Sequence, residues 1–443
     1  MPVRLANALC ASTGPSARAP SGPRHRARRQ IVRRWRMRKP LDVIVFGASG
    51  YTGCLVAEYL QATYGTRRGV AWAMAGRNRD KLAEVRDRIG APATLPLRLA
   101  DATDAASLAR LVAQTRVVIS TVGPYQQHGQ PLVAACARAG TDYVDLCGEP
   151  GWMAQMIMLL DAPARASGAR IVFSCGFDSI PFDLGVVYLQ TQALQRFAEP
   201  LVRVRARVRE LKGGASGGTV ASLLATVELM AHDPALARTM ADPFALTPGF
   251  RGPAQPADDT ASYDEWAGSW SGPFIMAAIN TKNVHRTNAL RGHPWGTDFV
   301  YDERLLTGDG TPGWWRAQAL AQGSRVQSAL LGQAPARELL RRYVLPRPGT
   351  GPSARQRDAG RYEVLFIGAT AQGRMLRACV RGDRDPGYGS TSKMIAESAL
   401  CLVRDVDRSA TPGGVWTAGA AMGLALIRRL QAHAGLSFAI EPT

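Results

Sequence analysis

The apolar residues of this chain first fall in short runs with helical spacing between them. The run 43–46 is unbroken and of strand length, and comparable runs follow at 70–75, 95–99, 117–121, 143–146 and 171–174. The stretches between them, such as 56–60, carry apolar residues at helical spacing. Strand-length runs buried on both faces and alternating with helices predict a parallel, doubly wound sheet. In such sheets ligands lie beyond the carboxyl ends of the strands.

The pattern changes after Asp178. Residues 179–185 open a helix, and 201–208 alternate apolar residues with Arg203, Arg205, Arg207 and Arg209, a strand with one wet face. That face is either solvated or turned to an acidic partner. A glycine-rich loop at 213–219 precedes a helix at 220–230. Residues 231–360 are rich in Pro, Gly and Trp; 275–280 read as a strand and 334–343 as a helix. Trp295, Trp314 and Trp315 either fill a core or line an apolar pocket. Residues 362–368 and 374–381 form a hairpin across Ala371-Gln372-Gly373. A helix at 393–403 and an apolar segment at 415–427 close the chain; the latter reads as a buried helix or an interfacial membrane contact. The fold class is α/β: a Rossmann-type doubly wound parallel sheet at 41–185, an inserted α+β domain with a mostly antiparallel sheet at 186–386 for substrate and dimerisation, and C-terminal helices at 387–443 packing back on the first domain.

Charge changes this picture at one end only. The net charge is +19, and residues 1–40 contain ten arginines and Lys39 with no Asp or Glu. Eleven of the nineteen net charges therefore sit in a segment without an apolar stripe, read as a disordered basic tail. Met37 stands where a shorter chain would start, and residues 1–36 are expected to be dispensable. No nucleic-acid role is expected for the folded part. No run of eighteen uncharged apolar residues predicts a membrane span. The seven cysteines form no C-x-x-C pair and no His cluster completes a metal site, which fits reduced thiols, a cytoplasmic protein and no metal.

The chemistry-bearing motif is Gly47-Ala48-Ser49-Gly50-Tyr51-Thr52-Gly53, set between the first strand and the first helix. Gly47 permits the turn, Gly50 removes a side chain where a pyrophosphate would approach, and Gly53 lets the helix pack close to the sheet. The second strand ends in Gly76-Arg77-Asn78-Arg79, with no carboxylate before Asp80. An arginine here suits a 2′-phosphate, so NADP(H) is favoured over NAD(H). Asp101, Gly123 and Pro124 follow later strand ends and complete the cofactor edge. Tyr125, His128 and Asp178 are the candidate catalytic acids. Asp178 alternatively caps the helix that follows. Glu149, Ser179, Ser216 and Thr219 are candidate substrate contacts, with Thr219 alternatively an N-cap.

These residues resemble a known family. Residues 42–185 are similar to the saccharopine-dehydrogenase-like oxidoreductases, and within them to the bacterial branch called trans-acting enoyl reductases. The likeness rests on the glycine motif, Ala75-Gly76-Arg77, Val122-Gly123-Pro124-Tyr125, Tyr143-Val144-Asp145 with Gly148-Glu149, and Gly176-Phe177-Asp178-Ser179-Ile180-Pro181. It continues through Ser216-Gly217-Gly218-Thr219, Ile279-Asn280-Thr281 and Gly387-Tyr388 to Gly413-Gly414-Val415-Trp416-Thr417. Gln130 stands where the family pattern has Glu, and Ala418-Gly419 where it has Pro-Ala. The resemblance implies a Rossmann domain joined to a dimer-forming sheet domain and hydride transfer from NADP(H) or NAD(H). It implies reduction of an enoyl bond in an apolar or carrier-bound acyl substrate, with a polyketide synthase as partner. A saccharopine-type amino-acid dehydrogenase and a non-catalytic NADP(H) sensor are the alternatives.

Overall fold

The computed structural model describes residues 39–66, 69–213, 217–230, 232–257, 259–331, 333, 335 and 351–442. Residues 1–38 of the basic tail, Ser216 and all of the expected helix 334–343 but residue 335 lie outside the described residues, as does the side chain of Thr219.

Seven parallel strands form the first sheet: β1 (Leu41–Phe46), β2 (Trp72–Gly76), β3 (Leu97–Leu99), β4 (Thr115–Ser120), β5 (Asp142–Asp145), β6 (Arg170–Val172) and β13 (Gly414–Trp416). Their order is β13-β6-β5-β4-β1-β2-β3. Helices α1 (Tyr51–Tyr64), α2 (Arg79–Arg88), α3 (Ala105–Val112), α4 (Tyr125–His128), α5 (Gln130–Ala139) and α6 (Pro150–Ser167) make the crossovers. The order reverses around β1 and β4, and a ligand crevice opens at such a switch point.

The chain leaves this sheet through α7 (Ile180–Phe197) and builds a second one. Its strands are β7 (Arg203–Lys212), β8 (Ser262–Asp264), β9 (Ser269–Pro273), β10 (Val300–Gly308), β11 (Arg361–Ala369), β12 (Met375–Gly382) and β14 (Leu436–Glu441). The order is β14-β12-β11-β7-β10-β9-β8. Only β7 and β10 pair in parallel. Helices α8 (Gly217–Met230), α9 (Pro234–Ala241), α10 (Ala277–Leu290), α11 (Gly310–Leu331) and α12 (Ala354–Asp358) interrupt the strands. A Cβ on Gly185 would overlap the Phe366 ring, so this glycine lets α7 lie directly on the second sheet.

The C-terminal segment returns to the first sheet through α13 (Thr391–Arg404), α14 (Ala418–Ala421) and α15 (Gly423–His433). A buried charge cluster fixes α13 and α15 against α1. Tyr59 and Tyr64 donate to Glu397 Oε1 at 2.6 and 2.7 Å. Arg429 Nε meets Glu397 Oε2 at 2.5 Å, and Arg429 Nη1 meets Asp405 at 2.8 Å. Burial, then the Glu397 charge, pushes the Tyr64 phenol up to about 12 and raises that of Tyr59 as well.

Four expectations need correction. Residues 275–280 are not a strand: α10 begins at Ala277, and its buried Asn280, Asn283 and Thr287 break the apolar periodicity of a core helix. Residues 415–427 are not one helix: β13 adds to the first sheet, and Gly423 at φ +42° separates α14 from α15. The chain does not end in helices, because Leu436 and Phe438 alternate with exposed residues and make β14 an edge of the second sheet. Trp295 is buried in the core as expected, but Trp315 is 63% exposed and does neither expected job.

The arginine face of β7 is largely taken up by acidic partners within the chain, and Arg209 on it is exposed. Arg207 meets Asp264 at 2.5 Å and Asp302 at 2.6 Å, all three buried. Arg205 meets Asp264 at 2.9 Å and lies over the Trp266 ring. Arg209 meets Glu363 and Glu441 at 2.9 and 2.8 Å. Among the described residues no helix is long and apolar enough to cross a membrane. The six described cysteines are buried free thiols.

Removing the Arg207 guanidinium would leave two buried carboxylates without their shared cation. Arg207→Ala should lower unfolding free energy by about 3–5 kcal/mol, measured by urea denaturation. A loss below about 1 kcal/mol, the range of an exposed pair, would show that this network carries little of the sheet's stability.

Candidate active site

The glycine turn has the form the cofactor chemistry needs. Gly47 sits at φ +87°, and a Cβ there would press on Val122 and Thr121. A Cβ on Gly53 would land on the Gly47 carbonyl, so α1 can begin against the turn only with glycine at this position. A Cβ on Gly50 would meet one atom, the Gly47 carbonyl oxygen at 3.3 Å, leaving the approach to the main chain otherwise open. Gly50 caps α1 without a side-chain bond, and the first turn holds no acidic residue. The orphan N–H groups and the positive helix end therefore remain for an anion. These residues fit a dinucleotide pyrophosphate.

Arg77 is exposed one residue past β2. Asp101, past β3, accepts from the Thr103 amide and hydroxyl at 2.9 and 2.8 Å. These bonds, with a smaller contribution from the Arg77 charge, hold its carboxyl below the usual range. Ser49 is exposed at the turn, and Thr52 and Gly123 reach the adjoining cavity. Pro124 caps α4. The Tyr51 side chain lines a recess together with Ser49 and Gly50 of the turn. Its hydroxyl donates to the Pro352 carbonyl and accepts from Arg357 Nη1 at 2.7 Å, and its ring meets Tyr388 edge-on. Tyr51 contributes its backbone at the helix start and clamps a distant segment with its phenol.

Next to the turn lies a cavity of about 160 Å³ between the strand ends and α8, α9 and α10. Leu146, Phe177, Met240, Ile275, Met276 and Ile279 supply apolar walls, and Thr52, Ser174, Ser222, Thr226 and Thr391 supply polar ones. Asp178 is the one carboxylate among its described lining residues, which include no Lys, Arg or His. Asp178 is half-buried and precedes Ser179, the N-cap of α7.

The other expected site residues have different geometry. Tyr125 is buried and its ring lines the cavity, but its hydroxyl donates to the Ser120 carbonyl and accepts from the Leu146 amide, both at 3.1 Å. Burial, with the Asp145 charge adding, raises its phenol well above the ordinary value. Glu149 is buried and accepts from the Tyr125 and Gln126 amides at 2.9 and 2.8 Å and from Ser222 at 2.6 Å. It holds the first amides of α4 and ties them to α8. His128 is exposed and is not among the described lining residues. Ser179 Oγ donates to the Asp178 carbonyl at 2.6 Å and accepts from Asn283 at 2.7 Å. The network continues from Asn280 to Glu303 and Tyr301, so Ser179 braces α7 against α10.

Sequence reasoning missed Asp145 and Ser174. Asp145 is buried and accepts from the Cys147 and Ser174 amides and the Tyr143 hydroxyl, each at 3.0 Å. Burial pushes its carboxyl up to about 7. Ser174 lines the cavity with φ +59°, a left-handed conformation costly outside glycine, and its hydroxyl donates to the Cys147 carbonyl at 2.5 Å. Their signal was the polar pair at adjacent strand ends. Asp183 joins α7 to the C-terminal segment, accepting from Thr287 and the Gly419 amide, each at 2.6 Å. A Cβ on Gly419 would meet Asp183 Oδ1 at 2.5 Å, a structural reason for glycine at that position.

Residues 43–172 match the family model for the saccharopine dehydrogenase NADP binding domain. A protein of Mycobacterium tuberculosis H37Rv named as a trans-acting enoyl reductase is 40% identical over 414 residues, covering 90% of this chain and 97% of that one. Trans-acting enoyl reductases of Mycobacterium bovis BCG and Mycobacterium ulcerans are 38% and 36% identical, each covering 88% of this chain and 96% of theirs. The chain belongs to the trans-acting enoyl reductase branch of the saccharopine-dehydrogenase-like oxidoreductases. Saccharopine dehydrogenase (L-Glu forming) of Saccharomyces cerevisiae shares the fold at TM-score 0.50 and 14% identity, covering 91% of this chain and all of that one. Membership makes this protein an NADP-dependent oxidoreductase, in keeping with the glycine turn and Arg77.

Arg77→Asp should weaken NADPH binding by about 1.5–3 kcal/mol, the range of a lost charge-assisted contact, with a much smaller effect on NADH. Fluorescence titration checks this, and equal losses for both would remove Arg77 from the 2′-phosphate site.

Asp145 yields a pH prediction. Its carboxyl is raised from 3.8 to about 7, so the folded protein holds the proton more tightly than the unfolded chain. Its stabilising contribution is complete below about pH 4 and is lost as pH rises through about 7. Asp145→Asn should therefore gain stability relative to the native protein between pH 4 and 8, by at most on the order of 4 kcal/mol. Parallel curves of melting temperature against pH for the two proteins would contradict this.

Proposed function

We propose that this protein reduces the carbon–carbon double bond of an apolar 2-enoyl thioester, presented on a small thiol or on the carrier of a polyketide-type synthase. The observation that carries the reading is the chemistry of the cavity wall. A saccharopine-type substrate brings two or more carboxylates, which need cationic partners. The described lining of the cavity contains no cation and is apolar on its larger part. It suits an acyl chain, and the relatives that cover most of the chain are named for enoyl reduction.

Bound at the glycine turn, NADPH supplies the hydride that the β-carbon takes. The residues of this chain do the rest. The α1 N-terminus and Arg77 hold the two phosphate-bearing regions of the cofactor. The walls from α9 and α10 exclude water from the reacting carbons. Ser174, Ser222 and Thr226 give the wall a polar strip, and each hydroxyl donates its proton within the chain, to Cys147, Glu149 and the Ser222 carbonyl. Asp178, the carboxylate among the described lining residues, would pass a proton to the α-carbon, directly or through water. Its presence at the cavity favours an enzyme over a cofactor-binding sensor.

NADPH consumption should follow addition of a 2-enoyl thioester and should not follow saccharopine, or lysine with 2-oxoglutarate. Asp178→Asn should lower kcat at least tenfold with little change in KM and should alter the pH profile. Turnover on the amino-acid substrates alone would overturn the enoyl reading. Unchanged turnover and pH profile in the variant would remove Asp178 from catalysis.

A further inference from the structure

A second cavity, about 630 Å³, adjoins the first. The two share Met240 and Ala278 in their walls, so these residues form the partition between them. The second chamber lies between the end of α9, the segment 242–257, α10 and β10. It differs from the first in size and in character. Its volume is about four times as large, from about 160 to about 630 Å³. Its wall mixes apolar residues with Gln255, Thr281, Asp242, Asp302, Lys282 and, at the exposed rim, Arg251. Lys282 is buried, and its ammonium donates to the Met240 carbonyl at 2.9 Å, at the partition itself.

The small apolar chamber must take both the nicotinamide and the reacting end of the acyl chain. Little space is left there for the remainder of a thioester. The arm of a carrier or coenzyme thioester is long and polar, built of successive amides that donate and accept hydrogen bonds. A purely apolar tunnel would strand those amides. A chamber whose wall sets acceptor oxygens of Gln255, Thr281 and Asp302 and the Lys282 ammonium among apolar surface offers such amides partners.

The geometry points to the second cavity as the binding site for the amide-bearing arm of the thioester, entered across Met240 and Ala278, with Arg251 at the outer end. The inference rests on the enoyl-thioester reading above. It adds a site for the part of the substrate that undergoes no chemistry. Binding energy gained there is spent on holding the double bond in register, so a truncated arm loses rate as well as affinity.

The test compares two enoyl thioesters with the same acyl group, one on N-acetylcysteamine and one on pantetheine. The short thiol ends near the partition, whereas pantetheine extends into the second chamber. The native protein should show a kcat/KM at least tenfold higher for the pantetheine thioester. Ala254→Trp places a bulky ring in the second chamber from an exposed loop position outside the reaction cavity. It should reduce that preference at least fivefold while leaving kcat/KM for the N-acetylcysteamine thioester unchanged. Free pantetheine should compete with the short thioester in the native protein, a measurement that needs no variant. Equal use of the two thioesters by the native protein, with no competition by pantetheine, would overturn the inference while leaving the enoyl reading intact. Reduction of neither thioester would overturn the enoyl reading, and this site with it.

Discussion

The approach of Gly53 to the Gly47 carbonyl is the contact on which the rest of the site depends. No side chain fits between them. Because α1 starts directly against the turn, its uncapped N–H groups face the space beyond the strand ends. Moving the helix out by the width of one methyl group would take the anion site away from the switch point between β1 and β4. The cavity beside the turn borders the same edge, where the proposed reaction brings cofactor and substrate together.

The second sheet and the C-terminal helices hold that edge in place from two sides. Glu397, Tyr59, Tyr64 and Arg429 secure α13 and α15 to the back of α1. Ser179, Asn280, Asn283 and Glu303 secure the α7 start to α10. Glu149 performs the same task for the loop after β4. All three clusters are buried and hydrogen-bonded, and such groups fix a single arrangement because leaving any member unpaired is costly. Asp178 is thereby presented to the cavity by a backbone whose position is fixed on both sides.

Much of this was legible in the sequence where the signal was local. The glycine motif, the strand runs and Arg77 each declare their role within a few residues, and the structure has the parallel sheet they implied. Roles set by distant partners were not legible. Tyr125 and Glu149 have the composition of a proton donor and a substrate contact. Only the fold reveals that the Tyr125 hydroxyl is bonded to two backbone groups and the Glu149 carboxylate to the start of α4. The arginines of β7 read as a wet face because Asp264, Asp302, Glu363 and Glu441 lie far along the chain. Helix α10 escaped notice because its buried side chains are largely polar, so apolar spacing carried no helical signal.

The glycine turn and a cavity whose described lining holds no cation together suit hydride transfer to an enoyl carbon. NADPH carrying deuterium at the transferable position of nicotinamide C4, incubated with a 2-enoyl thioester and the protein, tests it directly. Nuclear magnetic resonance of the saturated product should show one deuterium on the β-carbon and a solvent-derived hydrogen on the α-carbon. A saturated product without the label, or label transferred only to the carbon of an imino acid offered in its place, would contradict the account.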